Sequence, residues 1–250
     1  ISIATLQPAQ RDFARLLARN PPWRSVFTTS LLSQTPNAAA IFPLVEKLRS
    51  QPGAGLTDHE LGLWISRLAR DRQWGPAYLT WVQSLPPEAS QRIGNVYNGS
   101  FELEPSQIGF DWQFKNAPGV RISRAQATGA DEELALRVEF DGDRIAFGNV
   151  RQLMALPPGK YRLLGKVRLD DLRADLGLVW SIRCAENRRA IAETEPMSGR
   201  REWQSFETSF TIPDSDCGGQ WLTLTVASGG RSLQRISGVA WFDDLSIKSN

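Results

Sequence analysis

The sequence predicts an α plus β chain: N-terminal α-helical hairpin repeats over residues 1–93, then an antiparallel β-sandwich or jelly roll over residues 94–250. Three observations carry this division. Apolar residues recur at spacings of three and four in the first part and alternate with period two from about Gly99. Residues 1–93 hold Gly53, Gly55, Gly62 and Gly75 alone of the 20 glycines, and the rest fall beyond, as turns between strands require. The first part also repeats itself: "LARNPPWRSVFTTSLLS" from Leu17 and "LARDRQWGPAYLTWVQS" from Leu68 share Leu-Ala-Arg, then Asn or Asp, then a tryptophan, with an aromatic pair at Phe27 and Tyr78.

Along the first part, Phe13, Leu16 and Leu17 make one apolar stripe. Pro21 and Pro22 start the next helix, where a missing amide donor costs little. Its expected stripe is Trp23, Val26, Phe27 and Leu31, and a third runs through Ile41, Leu44, Val45 and Leu48. Thr57 and Glu60 have the spacing of a capping box, in which the hydroxyl accepts from the third helical amide and the carboxylate returns to the cap amide. That box launches Leu61, Trp64, Ile65 and Leu68, and Pro86 with Pro87 ends the last helix. The stretch "RDRQWGPAYLTWV" resembles the tetratricopeptide-repeat class of helical hairpins, although the copy spacing departs from that family's repeat, so no binding residues carry over.

In the second part Leu134, Leu136, Val138 and Phe140 alternate with Ala135, Arg137 and Glu139, and Leu176, Leu178, Trp180 and Ile182 alternate with Gly177, Val179, Ser181 and Arg183. Further runs at 145–155, 160–170, 203–212, 221–227 and 238–248 are separated by turns such as "LPPGK", "MSGRREW" and "ASGGRS". About eight short strands in so few residues indicate an antiparallel sandwich or jelly roll.

Charge and motifs exclude several functions. A net charge of +2, with arginines scattered among carboxylates, argues against nucleic acid. No window approaches the roughly 18 uninterrupted apolar residues of a membrane span. The chain begins at Ile1, and loss of a signal peptide or anchor before it is an expectation. His59 is the only histidine and follows the cap residue Thr57, so a Ser-His-Asp or Cys-His mechanism has no base to use. Two carboxylates would suffice for a glycoside hydrolase or lyase accessory, a lesser alternative, but Asp131-Glu132-Glu133 and Asp141-Gly142-Asp143 fall in expected turns, where charges are usually just solvated. The Asn98-Gly99-Ser100 sequon carries little weight if the source is bacterial. Cys184 and Cys217 lack the further ligands zinc needs. They form either a disulfide, implying an oxidising compartment, or two thiols.

Three stretches carry a resemblance: "NGSFELEPSQIGFDW" at the opening, "LPPGKYRLLGKVR" in the middle and "SGVAWFDDLSIK" at the close. They resemble the opening, middle and closing strands of the jelly-roll carbohydrate-binding modules of families four, nine and twenty-two, over residues 95–249. The resemblance implies a structural calcium joining the first and last strands through Glu102 and Asp243 or Asp244. It also favours the disulfide, since Cys184 and Cys217 then fall at strand ends. Sugar binding in such modules uses exposed rings and polar side chains. Trp180 and Trp112 read as core, whereas Trp221 alternates outward with Thr223 and Thr225. Arg137, Arg162, Lys166, Arg168 and Arg183 also alternate outward. If these faces share one sheet, they make a cationic surface bearing one ring, suited to an acidic polysaccharide. The alternative is a solvated sheet whose arginines pair with Glu139 and Asp170.

The expected protein is non-catalytic, exported to the periplasm or beyond, and bipartite. Its helices would meet a protein partner and its sandwich a glycan, in bacterial exopolysaccharide assembly, secretion or envelope attachment. The rival expectation is a scaffold whose sandwich binds no sugar.

Overall fold

The computed structural model describes residues 7–50, 55–127, 134–227 and 233–250. The chain divides into two compact units, Ile1–Ser84 and Leu85–Asn250. The acidic run Asp131-Glu132-Glu133 and residues 228–232 of the "ASGGRS" turn lie outside the described residues.

The first unit is helical: α1 (Gln7–Ala18), α2 (Arg24–Gln34), a short 3-10 turn at Ala38–Ala40, α3 (Phe42–Arg49), α4 (Asp58–Arg70) and α5 (Trp74–Val82). Both sequence copies run from the end of one helix through a turn into the next, α1 to α2 and α4 to α5. Their packing differs, because α4 lies on α5 whereas α1 packs mainly on α3 and α2 on α4. The stripe Ile41, Leu44, Val45 and Leu48 is buried, as are Trp64, Ile65 and Leu68. The capping box is present in full, with Thr57 accepting from the Glu60 amide and Glu60 accepting from the Thr57 amide.

Helix α2 departs from its expected stripe. Val26 is 75% exposed and Trp23 is also exposed, while Arg24, Thr28, Leu31 and Leu32 face inward. The cause is electrostatic: Arg24 forks onto the buried Glu60, its Nε donating at 2.8 Å, and also donates to the Leu17 and Gly55 carbonyls at 3.1 and 2.7 Å. A cation satisfied this fully is held inside, and holding it turns the helix.

The second unit begins with the short helix α6 (Pro87–Ser90), so Pro87 opens a helical turn as well as following one. Ten strands follow: β1 (Trp112–Phe114), β2 (Val120–Gln126), β3 (Leu134–Ile145), β4 (Val150–Met154), β5 (Gly159–Ala174), β6 (Leu178–Cys184), β7 (Ala190–Glu193), β8 (Gly199–Ile212), β9 (Gln220–Val226) and β10 (Gln234–Ser249). They form two five-stranded antiparallel sheets, ordered β1-β4-β9-β6-β7 and β2-β3-β10-β5-β8. The architecture is a β-sandwich. Rings join the sheets inside: Trp112 lies 5.8 Å from Trp180, which meets Phe242 edge-on at 5.3 Å.

Two boundaries differ from the expected ones. Asp141-Gly142-Asp143 is not a turn but continues β3, where a bulge at Gly142 (φ 93°) shifts the register against β10. Leu176 is exposed in the turn before β6.

The opening stretch "NGSFELEPSQIGFDW" is not a strand before Trp112. It is an irregular strap whose polar groups are satisfied locally. The Asn98 amide bridges to the Leu103 N–H and carbonyl at 3.1 and 2.8 Å, and its own carbonyl accepts from the Trp112 indole at 3.0 Å. With Asn98 1% exposed, the sequon offers no accessible amide. Gly99 is required by close approach: a Cβ there would lie 1.8 Å from the Leu245 carbonyl oxygen, and the Leu245 N–H donates to the Gly99 carbonyl at 3.0 Å.

Candidate functional site

In β9 the alternation buries Leu222 and Leu224 and leaves Trp221 and Thr223 half-exposed on the outer face. On one side β6 sets Arg183 opposite Trp221 and Ser181 opposite Thr223. On the other, β4 sets Leu153 opposite Trp221 and Arg151 opposite Thr223. Diagonal neighbours on one sheet face are within reach of long side chains, and the Arg151 guanidinium lies over the Trp221 ring, 4.3 Å from its centre. Arg151 Nε donates to Gln113 Oε1 at 2.9 Å from β1, the next strand out. Arg151 is exposed as a residue, but its guanidinium is partly shielded where it lies on the ring, and burial pulls its pKa below the ordinary arginine value.

These groups line a groove of about 500 Å³, with Gly148, Arg151, Arg183, Arg188, Trp221 and Thr223 on its walls. Arg151 and Gly148 also line a second hollow, of about 740 Å³, beside β1, where Gln107, Lys115 and Asn149 contribute polar atoms and Phe114 an apolar wall. The groove presents three guanidinium groups and one indole. Arg183 is neutralised by Glu193 at 2.9 Å and steadied by Ser181 Oγ at 3.2 Å. Such a surface can bind a polar, anionic or hydroxyl-rich ligand, and its lining residues include no carboxylate or histidine for acid-base chemistry.

No family model matches the chain, and no curated protein matches it. Among solved structures the chain is similar to a CBM4 structure, at 15% identity over 62% of this chain and 99% of that one, with TM-score 0.46. It is also similar to TmCBM61 in complex with β-1,4-galactotriose (18% identity, 63% and 99% covered, TM-score 0.40). A third is the CBM22-1 xylan-binding domain from Paenibacillus barcinonensis Xyn10C (13% identity, 60% and 91% covered, TM-score 0.39).

The residues expected to form one cationic surface are divided between the two sheets. Trp221 and Arg183 share the groove, but Arg137, Arg162 and Lys166 lie on β3 and β5 in the other sheet. Each of those three has a carboxylate beside it: Glu139 at 2.8 Å from Arg137, Glu207 at 3.7 Å from Arg162 and Asp244 at 3.3 Å from Lys166. Arg168 pairs with Asp170 at 3.2 Å, so this face matches the alternative expectation of arginines paired to Glu139 and Asp170. Hydrogen bonds from Arg137 and Arg121 pull the Glu139 pKa down to about 2. Trp241, packed between Arg137 and Arg168, donates its indole N–H to Asp170 at 3.0 Å.

Arg151 was not legible in the sequence. In "VRQLM" the buried partner of the alternation is polar, since Gln152 faces inward and exchanges hydrogen bonds with the Tyr97 backbone at 3.0 and 2.9 Å. Leu153, which faces outward, is buried too. The pattern therefore names no face for Arg151.

The donors expected for calcium, Glu102 with Asp243 or Asp244, make these contacts within the chain. Glu102 accepts from the Leu134 N–H at 2.8 Å, at the start of β3, and Asp244 faces Lys166. Asp243 is fully buried and accepts from the Asp244 N–H at 2.7 Å. Among the described residues no three carboxylate, histidine or cysteine groups gather as a metal site. If Glu102 is a ligand, EDTA should lower the Tm and Glu102→Gln should abolish that dependence, whereas superimposed melting curves in EDTA and in excess calcium would count against the site.

Cys184 and Cys217 are joined in a disulfide, with their Cα atoms 4.9 Å apart. It ties the end of β6, on the groove wall, to the loop before β9. Glu186 Oε1 adds to the tie by accepting from the Gly218 and Gly219 amides at 2.8 and 3.3 Å.

Proposed function

We propose that the sandwich is a non-catalytic glycan-binding module whose contact surface is the outer face of β6, β9 and β4 around Trp221. The observation that carries this reading is the groove itself: a half-exposed indole set among guanidinium groups, two of them held in place, and the Thr223 hydroxyl, in a hollow of about 500 Å³. Sugar hydroxyls need donors and acceptors at defined positions beside an apolar surface, and concave sites with few convergent polar groups supply them. Around this core we place the wider role expected from the sequence. A tetratricopeptide-like helical unit would meet a protein partner, and the sandwich, folded as a jelly roll, would hold polysaccharide in exopolysaccharide assembly, secretion or envelope attachment. Trp23 and Val26, exposed one helical turn apart at the start of α2, support a protein contact. The disulfide supports a periplasmic or extracellular setting. No helix among the described residues is long and apolar enough to cross a membrane.

Affinity electrophoresis against acidic and neutral bacterial polysaccharides tests the reading. Retardation by at least one polymer is expected, with Trp221→Ala weakening it by about ten- to a hundredfold, the range of a residue central to an interface. Retardation by none would leave the sandwich as a scaffold.

A further inference from the structure

Several arginines of the sandwich are already paired. Arg121, Arg137, Arg162, Arg168 and Arg183 each hold a carboxylate of the same chain. Arg151 holds none among the described residues, yet it is not loose. Its plane rests on the Trp221 ring, and its Nε is committed to Gln113. Stacking plus one hydrogen bond fixes a guanidinium in orientation while leaving its two terminal nitrogens to donate in parallel. That fork matches a carboxylate. The indole is correspondingly covered on the face Arg151 occupies, so the ring acts there as a shelf for the cation and not as an open platform for a sugar. Arg188 lines the same groove, also without a carboxylate partner among the described residues, so the positive charge at the groove exceeds what Glu193 neutralises. Arg151 stands where the groove and the hollow beside β1 meet, since it lines both. A polymer crossing from one to the other passes over it.

We infer that the glycan held in this groove is a uronic-acid polymer, recognised by a carboxylate docked on the Arg151 fork that Trp221 and Gln113 hold in place. The inference rests on the glycan-binding reading and adds the chemical class of the ligand. It does not depend on the arginines of the other sheet.

The test uses the full chain and a panel of polyuronates, polygalacturonate and alginate among them, each paired with its own carboxyl-reduced, neutral form. The polyuronate is expected to bind and the reduced polymer not to. Arg151→Gln is expected to weaken binding by about ten- to a hundredfold, as loss of a hydrogen-bonded charge does. Arg151→Lys, which keeps the charge without the fork, should recover only part of it. Arg162→Gln, on the opposite sheet, should bind as the wild type does. Melting temperatures of all three variants serve as the folding control. Equal binding of the acidic and reduced forms overturns the carboxylate inference and leaves the glycan reading standing. Normal binding by Arg151→Gln, or equal impairment of Arg162→Gln, overturns the carboxylate inference in the same way. No binding in any pair overturns this inference, and the glycan reading falls as well only if none of the acidic and neutral bacterial polysaccharides retards the chain.

Discussion

Glu60→Ala is expected to destabilise the helical unit by about 3–5 kcal/mol, the cost of stranding a buried charge. Arg24 and Glu60 have side chains only 6% and 2% exposed, and the carboxylate is the counterion of a largely buried guanidinium. The same carboxylate accepts from the Thr57 N–H at 3.0 Å, so the variant also loses half of the capping box. Far-UV circular dichroism during urea unfolding measures the loss. Glu60→Gln should recover part of it, because the amide oxygen can still accept from Thr57 while the charge is gone. The double variant Arg24→Met, Glu60→Gln should lose less than the two single variants summed, since removing both charges strands neither. Single variants that add up independently would show that the ion pair contributes nothing.

The pair also sets an acid limit. Burial alone would raise the Glu60 pKa, but hydrogen bonds from Arg24 and from the Thr57 amide outweigh it and hold the pKa below the ordinary 4.5. A carboxyl with a depressed folded pKa stabilises the fold fully above its unfolded value, and that contribution is lost as pH falls through the folded one. The helical signal should therefore weaken below about pH 4.5 more steeply in the wild type than in Glu60→Gln. Parallel acid curves would exclude Glu60 as the responsible group.

Breaking the Cys184–Cys217 disulfide should cost the sandwich about 3–4 kcal/mol by the loop-closure argument, for a sequence separation of 33. Both sulfurs are buried, so the comparison is cleanest between the wild type and the double variant Cys184→Ala, Cys217→Ala, which leaves no unpaired polar group inside. Thermal melting followed by tryptophan fluorescence reads the difference, because Trp112 and Trp180 lie in the sandwich core. The position of the tie predicts a second effect. Cys184 lines the groove, and the loop after it carries Arg188, so the double variant should also bind its polymer more weakly at a temperature where it remains folded. An unchanged Tm would mean that the hydrogen bonds the Gly218 and Gly219 amides donate to Glu186, with the pairing of β6 and β9 at Cys184 and Gln220, already close the loop.

Much of the fold could be read along the chain. The capping box at Thr57, the stripe from Ile41 to Leu48 and the inward faces of β3, β6 and β9 all follow from spacing, because helical and strand periodicity depend only on the next few residues. The outward direction of Trp221 and Arg183 followed in the same way. Helix α2 shows where this reasoning ends. Its spacing favoured the face of Trp23 and Val26, and the buried face is that of Arg24, because a carboxylate far along the chain closes on it.

The sequence by itself determined which residues alternate and which side of β3, β6 and β9 meets the core. Only the tertiary structure decided which strands are neighbours. A period of two specifies a face but not the sheet it belongs to, and sheet membership rests on pairings between segments far apart in sequence. Those pairings separate Arg137, Arg162 and Lys166 from Trp221. They bring Arg151, whose own strand pattern is ambiguous, onto the indole. The groove is thus a product of strand order, and the cation at its centre is placed by neighbours that no local pattern names.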